Sequence, residues 1–128
     1  MNTNGSRMIS ELEIILKKGI MVIVTLSLDG IDNGFTSVMF DGSKLSIKEN
    51  IKITSAIVKK AHAANVSVEG EVGFVGYNKG KSSESTKIEE AELFVSESGA
   101  DAMAISVGNK HLQTEKNAKI DFYKIKKI

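Results

Sequence analysis

The chain of 128 residues has no cysteine, no proline and no tryptophan, and only two tyrosines. Without cysteine there can be no disulfide framework, no thiolate metal site and no sulfur nucleophile, and a cytoplasmic protein is expected. Charge of one sign is scarce as well: 17 basic residues against 16 acidic ones leave a net charge of +1. Such a balance offers no field to draw in nucleic acid or an anionic membrane, so neither is expected as a partner. The most apolar run, Gly19 to Leu28, is too short to cross a bilayer. Met1 to Arg7 is polar, lacks the core of a secretion signal and reads as a frayed, disordered tail.

What is present is an alternation of helical and extended apolar patterns. Met8 to Lys18 places Ile9, Leu12, Ile15 and Leu16 at helical spacing, with Gly19 as a stop. Ile20 to Leu28 and Phe35 to Phe40 are apolar and β-branched enough to be buried strands. A helix is expected over 47–64, opened by a capping box of Ser46 and Glu49 and stopped by a left-handed Asn65. Val66 to Val72 is the next strand, and the polar, glycine-rich Gly73 to Ser85 is a mobile loop. Thr86 and Glu89 form a second capping box for a helix ending near Ser98, closed by Gly99. Ala102 to Val107 is a further strand, and Phe122 to Ile128 starts a helix.

Strand, helix, strand, helix, strand, repeating at about thirty residues, is the pattern of βα units on a parallel sheet. Doubly wound sheets and (β/α)8 barrels both use this unit, and periodicity does not separate them. One connection breaks the rule. Only the six residues Asp29 to Gly34 join the Ile20 and Phe35 strands, whereas a parallel crossover takes a dozen or more. A reversing turn at Asp29-Gly30 or Asn33-Gly34 is expected, with the first segment antiparallel or off the sheet.

Three phrases carry a resemblance. Gly34-Phe-Thr-Ser-Val-Met-Phe-Asp-Gly-Ser-Lys-Leu45, continued by Glu49-Asn50-Ile51, resembles the fourth strand and following loop of class II fructose- and tagatose-bisphosphate aldolases. Ala61-His-Ala-Ala-Asn-Val-Ser-Val-Glu-Gly-Glu-Val-Gly73 resembles the end of their fourth helix and fifth strand. Ala100-Asp-Ala-Met-Ala-Ile-Ser-Val-Gly-Asn-Lys-His111 resembles the sixth strand and its metal-ligand loop. The resemblance covers nearly all of residues 20–128. It implies an α/β fold, part of a TIM barrel with chemistry at the C-terminal strand ends. It also implies a zinc-type ion that polarises the ketone of a phosphorylated ketose during carbon–carbon cleavage, a glycolytic lyase reaction.

By the same resemblance His111 falls at a zinc-ligand position, Glu71 at a carboxylate that can bind the metal, and Asp41 at a carboxylate near it. Asp29 aligns with the catalytic, proton-transferring aspartate of a His-Leu-Asp-His-Gly motif. Around Asp29, however, Ser27 and Gly30 stand where the family has histidines, and the second of these is a ligand. A further ligand histidine and the phosphate loop would fall beyond Ile128. Zinc takes three protein ligands plus an open position, so tight zinc binding by this chain is not expected. Plainer roles exist for each residue: Asp29 in a turn, Asp41 capping Gly42-Ser43, Glu71 on a wetted strand face, His111 solvated, His62 on the surface.

The expected organisation is one incomplete barrel domain: the tail at 1–7, an altered helix and strand at 8–34, and a βαβαβ segment at 35–128. The lineage is that of an aldolase converting fructose 1,6-bisphosphate to dihydroxyacetone phosphate and glyceraldehyde 3-phosphate, this chain alone being expected inactive. Two other readings stand beside it. One is a non-catalytic, truncated remnant. The other is a subdomain that needs a second copy or the missing barrel half, since an open sheet leaves unpaired edges.

Overall fold

The computed structural model describes residues 29–128 except 79, 81, 115 and 117. The helix expected over 8–18 and the strand expected over 20–28 lie outside them. Three parallel strands run in the order β1 (Ser37–Phe40), β2 (Ser67–Val72) and β3 (Ala102–Ile105). Between them lie α1 (Ile47–Ala63) and α2 (Ile88–Ser98), and a short α3 (Phe122–Ile125) follows β3.

Both long helices cover the same sheet face. Val38, Phe40 and Val68 pack with Ile53, Ile57, Val58 and Ala61 of α1. Val72 packs with Ile51 and with Phe94 of α2. Gly70 lies on this face too, and a Cβ there would come within 2.3 Å of the Phe94 ring. Strands in sequential order with both long helices on one side make a singly wound sheet, the arrangement of a barrel wall. Because side chains alternate along a strand, Ser37, Met39, Ser67, Glu69 and Glu71 project from the opposite face, which a closed barrel would turn inward.

The helix ends follow local chemistry. Ser46 accepts a hydrogen bond from the Glu49 amide at 3.3 Å, while its hydroxyl donates to the Glu49 carboxylate at 2.8 Å. Asn65 is left-handed with φ of 56° just beyond α1, and Gly99, with φ of 74°, caps α2. At the far end of α1, His62 meets Asp101 at 2.9 Å, and the same carboxylate oxygen accepts the Val68 amide.

Two expectations are corrected. Of the two positions expected for a turn, Asp29-Gly30 is not one, since residues 29–32 are helical, and the turn falls at Asn33-Gly34. This turn of helix ends in paired bonds, Phe35 amide to Gly30 carbonyl and Gly34 amide to Ile31 carbonyl, with Gly34 left-handed at φ 81°. Gly30 answers to close packing, since a Cβ there would sit 2.8 Å from Val38 Cγ1. Second, Thr86 does not cap α2. Lys87 occupies the N-cap without a side-chain bond, while the buried Thr86 hydroxyl donates to the Val72 carbonyl at 2.6 Å and accepts the Ser106 amide at 2.7 Å. It thus ties the carboxyl ends of β2 and β3. At the base of the loop after β2, Phe74 and Glu84 exchange backbone hydrogen bonds, both 2.8 Å.

Candidate functional site

Parallel strands bring the loops that follow them to one end of the sheet. Asp41 follows β1 directly and Glu71 lies in the last turn of the pleat of β2, so two carboxyl groups meet there. Asp41 is within hydrogen-bonding reach of the Glu71 carboxyl. Asp41 also accepts the Ser43 amide at 3.0 Å, so it holds its own turn as well as facing Glu71.

Glu71 is buried, with 8% of its surface exposed. Burial pushes its carboxyl up from 4.5 to about 7, the negative charge of Asp41 pushes the same way, and a hydrogen bond from the Val75 amide pulls it back. Desolvation and a like charge both favour the protonated acid. Near neutrality Glu71 can therefore either give or take a proton, the requirement for a general acid or base. Beside the pair, a cavity of about 470 Å3 opens between the loops after β1 and β2, lined by Ser43, Asn50, Gly73, Glu84 and Lys87 among others. Neither Asp41 nor Glu71 lines it.

His111 occupies the loop after β3. Its amide donates to the Gly76 carbonyl at 2.8 Å, its carbonyl accepts the Asn78 amide at 3.2 Å, and its ring lies 5.0 Å from that of Tyr77. The β2 and β3 loops are joined by this contact, but His111 does not complete the carboxyl pair. Among the described residues no three His, Asp or Glu side chains come together in a way that could hold a metal. Tested against the three ligands zinc takes, the pair supplies two oxygen donors and no more.

Asp29, the residue expected to transfer the proton, is not brought to this pair. It is exposed on the helical turn before β1 and borders a hollow with Phe35, Ser37 and Met39. His62 is exposed on α1 and engaged with Asp101. Two residues that sequence reasoning passed over do reach the site. Asn50 and Thr54 are buried at 2% and 0% exposure, and Asn50 donates to the Glu71 carbonyl at 2.8 Å. Their signal was two polar residues, four apart, on the otherwise apolar face of α1.

Comparison with known proteins agrees with this architecture. The family described as fructose-bisphosphate aldolase class-II matches residues 22–128. The 6-phospho-5-dehydro-2-deoxy-D-gluconate aldolase of Shouchella clausii is 43% identical over 117 residues, covering 81% of this chain and 40% of that protein. A fructose-bisphosphate aldolase of Streptococcus pneumoniae is 45% identical over 89 residues, 66% of this chain and 30% of the relative. The crystal structure of the YdjI aldolase from Escherichia coli K12 superposes with a TM-score of 0.65 at 27% identity, covering 80% of this chain and 34% of the other. The chain thus spans less than half the length of these relatives.

Proposed function

The chain belongs to the class-II fructose-bisphosphate aldolase family, and from that membership we propose that it carries the carboxylate-bearing part of a site for reversible aldol cleavage of a phosphorylated ketose. The observation that carries this reading is the Asp41–Glu71 pair at the carboxyl ends of β1 and β2, with Glu71 poised near neutrality. Aldol cleavage needs a group that takes the hydroxyl proton of the carbon that becomes the aldehyde, as the carbon–carbon bond breaks, and returns a proton to the carbon that keeps the bonding electron pair. Glu71 has the proton affinity for that work, and Asp41 keeps it there. The pair takes this role in place of Asp29.

Zinc, where the family uses it, would stabilise the charge that develops on the ketone oxygen. Asp41 and Glu71 are the carboxylates this chain would offer it, Glu71 only in its ionised form and then in place of proton transfer, with His111 as the proposed third ligand, which the arrangement of the loops leaves apart. Gly30, standing where the family resemblance calls for a ligand histidine, offers no donor. The chain alone is therefore expected not to turn over substrate. Fructose 1,6-bisphosphate is the first substrate to test. The cysteine-free composition suits a cytoplasmic enzyme, and no helix among the described residues is long and apolar enough to cross a membrane.

The test is a coupled cleavage assay on purified chain with fructose 1,6-bisphosphate, with added zinc and again with chelator. Absence of turnover from folded protein is expected. Chelator-sensitive turnover that Glu71→Gln abolishes would keep the site and overturn the claim of inactivity. Turnover indifferent to Glu71→Gln would overturn the site.

A second reading is a partner-dependent subdomain. It is favoured by the exposed apolar groups Phe35, Met39, Phe122 and Tyr123, at 62%, 42%, 70% and 71% exposure. Sedimentation that shifts to larger species with concentration would support self-association; a constant monomer would not.

A further inference from the structure

Pairing between β1 and β2 ends at Phe40 and Gly70, one residue short of Glu71. Beyond that point the two strand ends have no ladder to fix their separation, yet Asp41 and Glu71 meet there. The element that spans them is the first turn of α1. Asn50 donates from Nδ2 to the Glu71 carbonyl at 2.8 Å, and its Oδ1 accepts the Thr54 hydroxyl at 3.1 Å. The carbonyl can only accept, so the amide orientation follows from its partners. On its other side Asn50 presses on Gly42, the residue after Asp41: a Cβ at Gly42 would lie 2.1 Å from Oδ1.

We propose that Asn50, held by Thr54, is the positioning residue of this site, one side chain that fixes Asp41 and Glu71 against each other through Gly42 and the Glu71 carbonyl. The inference rests on reading Asp41 and Glu71 as the reacting pair. A buried amide on an apolar helix face is costly unless its polar atoms are satisfied. Here one atom is spent on Glu71's backbone and the other on a second buried polar residue. A hydrophobic residue would fill the same space without joining β2 to α1. Asn50 touches no reacting atom and acts only through the residues it places.

The test reads the pair directly, by the carboxyl carbon resonances of Asp41 and Glu71 in isotope-labelled chain at one fixed pH. Three variants disturb Asn50 from different sides: Asn50→Ala removes it, Thr54→Val removes its orienting hydroxyl, and Gly42→Ala pushes on Oδ1. Each is expected to move both carboxyl resonances from their wild-type positions. Thr54→Ser, which keeps the hydroxyl, is expected to leave them in place. Ile57→Val, a buried change in the same helix, is expected to lower the melting temperature without moving them. The proposal is overturned if Thr54→Val leaves both resonances unmoved in folded protein, or if Ile57→Val moves them as far. Should Asn50→Ala fail to fold, Thr54→Val and Gly42→Ala decide. The readout needs no catalysis, so failure of the aldolase reading and failure of this inference are separate results.

Discussion

Replacing Glu71 by glutamine should make the chain more stable at neutral and alkaline pH and leave it unchanged in mild acid. The reasoning is a linkage between proton binding and folding. In the unfolded chain Glu71 ionises near 4.5; in the folded chain it does so near 7. Below 4.5 both states hold the proton and Glu71 contributes no pH dependence. Between the two values the unfolded state loses its proton while the folded state keeps it, so stability falls as pH rises, by about 1.4 kcal/mol for each pH unit. Above 7 both states are ionised, and the folded state bears the full cost of a buried carboxylate beside Asp41. The gap between 4.5 and about 7 sets that cost on the order of 3 kcal/mol. Glutamine has the same shape, never ionises, and can donate to Asp41. Urea denaturation of both proteins from mild acid to pH 8.5 measures the difference. The curves should coincide near the acid end and diverge to about 3 kcal/mol above neutrality. A stability difference that does not change with pH would refute the argument that Glu71 is held protonated by the fold.

Other outcomes follow from the packing. Thr86→Val strips the Val72 carbonyl and the Ser106 amide of a buried partner and should cost about 2–3 kcal/mol in urea melts, with Thr86→Ser recovering most of it. Gly70→Ala drives a Cβ into the Phe94 ring and should cost about 1–3 kcal/mol; combining it with Phe94→Leu should cost less than the sum of the two. Gly34→Ala meets nothing within 4 Å but forces an alanine to φ 81°, so its cost should be the conformational one alone, about 1–2 kcal/mol. Asp41→Asn should bring the ionisation of Glu71 back toward its ordinary value, read by carboxyl NMR, because the Asp41 charge is one cause of the rise.

Much of the fold was legible because its signals are local. Ser46 ahead of an apolar helix, a left-handed Asn65 and the C-terminal Gly99 each act within a few residues of where they stand. Apolar strands spaced by one helix each implied the parallel sheet. The face on which α1 and α2 lie was not legible, since periodicity fixes which side chains group together and not which side of the sheet a helix takes. Thr86 illustrates the limit of local reading: its spacing to Glu89 fits a capping box, but two strand-end groups from elsewhere in the chain claim its hydroxyl. Gly30 is similar. Beside Asp29 it looks like a turn, whereas its real constraint is the Val38 side chain eight residues on. At the site, Asp41 and Glu71 were nameable from the family phrases, but their meeting depends on Asn50, whose role exists only once α1 has packed across both strand ends.

The most direct test of the central claim is the ionisation of Glu71 itself, followed by the carboxyl carbon resonance of the labelled wild-type chain across the pH range. The account predicts a midpoint near 7, with the Asp41 resonance responding to the same event. A midpoint near 4.5, with Asp41 indifferent, would mean that the two carboxyl groups do not form a proton-holding pair, and the proposed site would fall with it.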